Sequence, residues 1–512
     1  MLYDLIFFLL FFLTSQNNEN ERLIFVATNF RHGARQPSLK NNKLKDKFGE
    51  EWDFPKELTG VGKRAHYILG LRNRIKYINE RKFLSEKYNV KELEVYSSFS
   101  NRTIMSLIAH LQGLYPQSEK LGDVLNEKQL KNSNPPFNLN YSRINEEYDL
   151  LKNYALPDCM TVIPFQTIDQ DKGVNIYRVS ECGVSKTGDS KGTNESFALT
   201  DEFNNKYSQY FNKFYEKNSS YEYSFSDISD YCADYMVAYL DGRDMTSFRN
   251  TGINLDDLYN YCLEAYKISK RDSYLAVNDT LFLQGSKLME LFVNSMKMKI
   301  DMDINNVSES DSYYTPKMLI ISGHDHTLCV QELFIILAFG LDINTFRFPF
   351  FAAQITFEVT TNNDNNKNKK NYSDYYVSYY FNDDLIFKIT AEEFFKKVEP
   401  NIWPQEKIDN LCLENTKSKD SENDEITESI ANGDDNINNN NKTNSNKNST
   451  NPLNRYIFKS KDSNKGVKTA LIIISCLFGI SLIANIILAA SLTKKNINTI
   501  PQTSLSPVDS PV

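Results

Sequence analysis

Three short apolar runs punctuate the chain: residues 23–27 (Leu-Ile-Phe-Val-Ala), 93–98 (Leu-Glu-Val-Tyr-Ser-Ser) and 318–321 (Met-Leu-Ile-Ile). Each has the length of a strand, and each breaks into a polar loop. Behind the second loop, Thr103, Leu107, Leu111 and Leu114 recur at helical spacing until Pro116 ends the run. Behind the third, residues 328–341 form an apolar, helix-like stretch. Strand, polar loop and helix in repeated order predict an α/β fold with a mostly parallel central sheet flanked by helices. Residues from about 150 to 280 break that rhythm: they are rich in Tyr, Phe, Asp and Ser and lack the strand-loop-helix order, which marks an insertion.

In an open parallel sheet, chemistry collects outside the carboxyl ends of the strands, beside helix N-termini. The three loops should therefore meet in one crevice. The first carries Arg31-His32-Gly33-Ala34-Arg35-Gln36-Pro37, the second leads through Phe99-Ser100-Asn101 to Arg102, and the third is Ser322-Gly323-His324-Asp325-His326-Thr327. A histidine between two guanidinium groups suits attack on phosphorus. The cations raise the cost of imidazolium, so the ring stays neutral, and they hold an anionic phosphate. By itself the first loop reads equally well as a solvated basic turn. Together, and leaving His326 aside, the loops supply three arginines, two histidines and one carboxylic acid, a complete set for phosphoryl transfer without a metal or other cofactor.

These residues resemble the histidine acid phosphatase family, the branch of the histidine phosphatase superfamily whose signature opens Arg-His-Gly-x-Arg-x-Pro and closes on a His-Asp pair. Glu57-Leu58-Thr59-Gly60-Val61-Gly62 is similar to the family's Leu-Thr-x-x-Gly segment, and residues 100–106 to its third-arginine segment. Pro349-Phe350-Phe351-Ala352-Ala353 and the stretch around Pro400 and Trp403 resemble later landmarks. The resemblance spans roughly residues 22–412. It implies that His32 is a nucleophile that becomes phosphohistidine, that Arg31, Arg35, Arg102 and His324 surround the phosphoryl oxygens, and that Asp325 protonates the leaving alkoxide. It implies further that the insertion is a mostly helical cap over the crevice, shaping substrate choice, with Tyr221, Tyr223, Phe225, Tyr231 and Tyr235 packed inside it. A disulfide between Cys159 and Cys412 is also implied.

The expected activity is metal-independent hydrolysis of phosphate monoesters. An alcohol leaves poorly, so a positioned acid is worth about 10²–10⁴-fold. Asp325 must be protonated while His32 is neutral, which predicts a bell-shaped, acid-shifted rate profile. His66 and His110 fall in helical patterns without partner motifs and are expected to be structural or surface residues. His326 stands where the family usually has a small residue; it either lines the pocket mouth or points away, and it stays outside the catalytic set. The His324 and His326 pair lacks helical ligand spacing and no cysteine cluster accompanies it, so no metal site is expected.

The two ends suggest a compartment. Residues 5–13 are an apolar run too short to span a bilayer, followed by Thr14-Ser15-Gln16-Asn17, which reads as a signal peptide over residues 1–15 even though Asp4 stands where a basic residue is usual. Residues 469–493 hold no charge and are long enough for one transmembrane helix, closed by Lys494-Lys495. A glycolipid signal would end the chain with its hydrophobic tail, whereas a polar segment follows here. The layout expected is a phosphatase domain over residues 16–412, a disordered Asn-rich stalk over 413–466, the span, and a cytosolic tail over 494–512. The expectation is therefore a single-pass type I membrane protein with its catalytic domain extracellular or in a lysosomal or vacuolar lumen.

Seven cysteines divide into Cys476 in the span and six before it, an even number that allows up to three disulfides. Sequons at Asn101, Asn140, Asn194, Asn218, Asn278, Asn306, Asn371, Asn441 and Asn448 make the chain a candidate glycoprotein. A glycan on Asn101 would crowd Arg102, so that site is expected to be bare. The net charge of −8 argues against a nucleic-acid partner. The partners that remain are a small phosphate monoester and the membrane, and oligomeric state is not readable. Two alternatives stay open: a phytase-like or inositol-polyphosphate phosphatase with the same chemistry, and a catalytically inactive ectodomain used for adhesion or as a receptor. Phosphoglycerate mutases also use an Arg-His-Gly nucleophile, but the signal, span and His-Asp pair argue against them.

Overall fold

The computed structural model describes residues between 21 and 412, apart from 38–53, 134–150, 170–174, 178–181, 183–193, 276–279, 308–315, 363–370 and positions 55, 119, 215, 216, 244 and 251. The expected signal peptide, stalk, membrane span and tail lie outside the described residues. Among the described residues no helix is long and apolar enough to cross a membrane.

Seven strands form one sheet: β1 (Glu21–Arg31), β2 (Leu93–Ser98), β3 (Gln166–Ile168), β4 (Met318–Gly323), β5 (Gln354–Asn362), β6 (Tyr375–Phe381) and β7 (Asp384–Thr390). Their order is β3-β2-β4-β1-β5-β6-β7. The four strands from β3 to β1 are parallel, and β5, β6 and β7 extend the sheet in antiparallel fashion. The three apolar runs of the sequence are β1, β2 and β4, adjacent in space. Strands β1 and β4 are buried on both faces almost throughout, which is why their sequences run apolar instead of alternating. Register aligns the ends: Ser97 of β2 lies opposite Ser322, and Arg31 lies opposite Gly323. The residues that follow each strand therefore begin at one edge.

Alternate residues of β4 feed two cores. Met318 and Ile320 join Leu107, Leu111 and Leu114 under α1 (Gly60–Arg74) and α2 (Asn101–Leu114). The insertion contributes α3 (Asn194–Lys206), α4 (Ser208–Phe214), α5 (Phe225–Leu240) and α6 (Leu255–Leu275). These helices have a core of their own, built on Phe203, Tyr207, Phe211, Tyr223, Tyr231 and Tyr235, with Tyr221 and Phe225 packed against it. Ser224 and Asp227 close a capping box at the start of α5, and a disulfide between Cys232 and Cys262 ties α5 to α6. On the other face of the sheet, Leu319 and Ile321 pack with residues of α7 (Thr280–Ile304), α8 (Asp325–Phe339) and α9 (Ala391–Val398).

The structure corrects the disulfide expected from the resemblance. Cys412 is bonded to Cys182, not Cys159. Cys412 and Cys182 share a small cluster with Leu283, Trp403 and Ile408. Cys159 ends a turn packed against Gly122, where a methyl on the glycine would lie 2.5 Å from the Cys159 Cβ. Cys159 and Cys329 are buried thiols.

Candidate active site

Beyond Arg31 the chain tucks beneath the N-terminus of α1. Thr59 caps that helix, accepting from the Gly62 N–H at 3.2 Å and donating its hydroxyl to the Ala34 carbonyl at 3.1 Å. A methyl on Gly33 would lie 2.5 Å from the Gly62 carbonyl oxygen, and one on Gly62 would lie 2.3 Å from that of Ala34. Only glycine permits so close an approach. This contact gives a physical reason why residues 57–62 accompany the Arg-His-Gly turn.

The turn fixes the tautomer of His32. His32 Nδ1 lies 2.8 Å from the Gly33 carbonyl oxygen, which can only accept, so the proton sits on Nδ1 and the lone pair on Nε2. That Nε2 accepts from Arg102 Nε at 3.2 Å. Burial first, then His324, Arg31 and Arg102, hold the His32 pKa well below the ordinary histidine value, against the Gly33 hydrogen bond.

Arg102 also reaches His324, its second nitrogen donating to Nδ1 at 3.2 Å. The proton of His324 is thereby placed on Nε2, which donates to Ser98 Oγ at 2.8 Å. Burial, then His326 and Arg102, keep His324 neutral as well. Arg102 itself is pushed down to about 10 by burial and by Arg35. Arg35 donates to the Gln36 carbonyl at 2.8 Å and lies within electrostatic reach of Arg31 and Asp325.

Arg31 donates to the Pro349 carbonyl at 2.9 Å and stacks 4.2 Å over the Phe351 ring. Its other nitrogen lies 3.4 Å from Asp325 Oδ2. Asp325 is the first residue of α8, with His324 as N-cap, where the helix dipole favours a carboxylate. The His326 N–H donates to Asp325 Oδ1 at 2.9 Å. Burial pushes the Asp325 pKa up, but Arg31, Lys270 and His326 together outweigh it and hold the group well below the usual carboxylate range. All six residues singled out from the sequence, Arg31, His32, Arg35, Arg102, His324 and Asp325, thus face one another at the strand ends.

The remaining histidines are buried. His66 donates from Nε2 to the Arg31 carbonyl at 3.1 Å, and burial lowers its pKa to about 3. His110 lies 3.1 Å from the Asn73 side-chain nitrogen and stacks on Phe30. His326, left outside the catalytic set, lies against the site: its ring stacks on His324 at 5.1 Å, and its Nδ1 is 3.9 Å from Asp325 Oδ1. Asn101 is exposed and donates to Glu57 Oε1 at 3.0 Å. Two residues that sequence reasoning missed come from α6. Tyr266 donates its hydroxyl to Asp325 Oδ2 at 3.1 Å, and Lys270 Nζ lies 4.0 Å from the same oxygen. Four residues apart, they share one face of the helix. Among the described residues no group of three or more His, Cys, Asp or Glu side chains is placed to hold a metal ion.

The profile of the histidine phosphatase superfamily (branch 2) matches residues 22–382. Human prostatic acid phosphatase is 34% identical over 116 residues, 21% of this chain and 28% of that protein. Lysosomal acid phosphatase of Xenopus laevis is 37% identical over 101 residues, 19% of this chain and 22% of that protein. The matched segment therefore spans less than a third of these relatives. Among solved structures, apo Hafnia alvei phytase shares 13% identity and a TM-score of 0.46, covering 75% of this chain and 98% of that one. The profile match runs over more than half of the chain and takes in every residue of the strand-end cluster, so the chain belongs to branch 2 of the histidine phosphatase superfamily.

Proposed function

We propose that the protein is an acid phosphatase that hydrolyses phosphate monoesters through a phosphohistidine on His32, with no metal. The observation that carries this reading is the ring of His32: Nδ1–H is committed to Gly33, while the Nε2 lone pair faces Arg102 in a ring of cations. In this mechanism Arg31, Arg35 and Arg102 bind the phosphoryl oxygens. His324, neutral and held between Arg102 and Ser98, completes the set around the phosphoryl group. His32 Nε2 attacks phosphorus, the bond to the ester oxygen breaks, and Asp325 gives that oxygen its proton. Water then attacks the phosphohistidine with Asp325 as base, freeing His32 and phosphate.

The proton inventory sets the pH dependence. Asp325 is a carboxylate in the resting site, so the productive complex forms from the substrate monoanion, whose proton count equals that of a dianion beside a protonated Asp325. On this basis kcat/KM falls as pH rises through the substrate's second ionisation, at about 6. It falls again in acid only where His32 protonates, well below the usual histidine range. The optimum is acidic.

The cap helices, contributing Tyr266 and Lys270 beside Asp325, support a role in substrate choice. Two disulfides support folding in an oxidising compartment. With residues 1–15 and the uncharged run 469–493, they favour a membrane-anchored glycoprotein whose catalytic domain is extracellular or lumenal, in line with relatives named lysosomal and prostatic acid phosphatases. The test is hydrolysis of an aryl phosphate by the purified protein across acid to neutral pH, without added metal and beside His32→Ala. Acid-optimal turnover that disappears in the variant is expected. An optimum above neutrality, or equal turnover in the variant, would remove the reading.

A further inference from the structure

Arg31 is anchored by its neighbours: it donates to the Pro349 carbonyl, stacks on Phe351 and pairs with Asp325. Lys270 is different. Its ammonium stands 4.0 Å from Asp325 Oδ2, beyond hydrogen-bonding distance, and 5.2 Å from the Tyr266 ring centroid. Among the described residues its Nζ makes no hydrogen bond, and its side chain is 30% exposed, so it reaches solvent at the site. An ammonium that reaches water keeps its three donors solvated, and an anionic group arriving there can take the place of that water. The three arginines suffice for a dianionic phosphoryl group, which leaves Lys270 as a fourth cation beside the group that protonates the leaving alcohol.

We propose that Lys270 is a subsite for an anionic group on the leaving alcohol, making the preferred substrates phosphate monoesters with a second negative group close to the ester. The inference rests on the assignment of Asp325 as proton donor. A bare Lys270 opposes protonation of Asp325, as do Arg31 from β1, His326 from α8, His32 from the turn after β1, and Arg35 and Arg102; the Tyr266 hydroxyl from α6 hydrogen-bonds the carboxylate. An anionic leaving group would neutralise Lys270 and let Asp325 accept its proton. Binding and activation of the acid would then share one contact, whereas a neutral alcohol leaves Lys270 working against the chemistry.

The experiment compares kcat/KM for 2-phosphoglycolate and 2-hydroxyethyl phosphate, which differ in whether the leaving alcohol carries a carboxylate, using the full-length protein, K270M and K270R. Wild type should favour phosphoglycolate. K270M should lose that preference by about tenfold or more, K270R should keep most of it, and K270M should move the basic limb of kcat for 2-hydroxyethyl phosphate to higher pH. No preference in wild type, or equal losses on both substrates in K270M, would overturn the subsite. His32→Ala reads the underlying chemistry separately. Its inactivity beside equal losses in K270M overturns the subsite alone, and turnover surviving in His32→Ala overturns the phosphohistidine reading and the subsite with it.

Discussion

At the carboxyl edge of β1, β2 and β4, position comes from the backbone. Arg31 lies opposite Gly323, Ser97 opposite Ser322, and the His32 N–H donates to the Gly323 carbonyl at 3.0 Å. Reactive side chains therefore start from strand ends whose register cannot slip without inverting two cores. In the insertion, position comes from packing of rings around Phe203 and Tyr223 and from the Cys232–Cys262 bond. The two regions meet at Asp325, where α8 supplies the carboxyl and α6 supplies Tyr266 and Lys270. Chemistry held by a sheet tolerates little change. A helical insertion with its own core can exchange the residues it presents without moving His32.

The contrast predicts rate defects without unfolding at the strand ends. Asp325→Asn should lower kcat for alkyl phosphates by about 10²–10⁴-fold, with a far smaller loss for p-nitrophenyl phosphate, whose leaving group needs no acid. Equal losses on both would move Asp325 from protonation to binding.

In the cap the defects should be of stability and affinity. Replacing Cys232 and Cys262 by serine opens a crosslink across 30 residues, worth about 3–4 kcal/mol on the loop-entropy argument. Thermal unfolding should show that loss, and KM for aryl phosphate should rise more than kcat falls. A collapse of kcat with KM unchanged would erase the division of labour.

Acid should separate the halves too, because the five histidines are His32, His66, His110, His324 and His326, none of them in the insertion. His66 titrates at about 3 in the folded state against about 6.5 unfolded. Its neutral form is the one the fold favours, so its contribution is complete above about pH 6.5 and is lost as pH falls toward 3, reaching about 2 kcal/mol near pH 5. Denaturant unfolding of His66→Gln should show a correspondingly shallower loss of stability in acid. An unchanged slope would mean that His66 is charged in the fold.

The smallest effect is expected at Ser98, which accepts the His324 proton. Ser98→Ala should lower kcat by about three- to tenfold, near 1 kcal/mol, with stability little changed. A loss as large as that of Asp325→Asn would make the hydroxyl part of the reaction.

The parallel half of the fold was readable because strands buried on both faces must be continuously apolar, and because each ends in a polar loop that carries residues of the candidate site. Strands β5 to β7 carried a different signal, since the polar and apolar residues of β5 alternate as in a strand with one face to solvent. Gln354, Thr356, Glu358 and Thr360 are polar yet buried, and Glu358 is satisfied by the Tyr77 hydroxyl at 2.8 Å and Lys76 at 2.6 Å, partners no local pattern reveals. The six candidate residues lay in three local motifs, and the structure brings those motifs together at the strand ends. Tyr266 lies 59 residues from its partner Asp325 in a segment without a motif, so its role exists only once α6 is packed. The cysteine pairing failed for the same reason: which cysteine meets Cys412 depends on how the insertion returns to Trp403 and Leu283, a long-range fact.

The most direct measurement is a rapid quench of the enzyme during turnover of a radiolabelled phosphate monoester, in alkaline detergent, followed by mapping of the label. Phosphate on His32 Nε2, stable in alkali, labile in acid and absent from His32→Ala, is the predicted result. Turnover with no phosphate on His32, or with label on another residue, would contradict it.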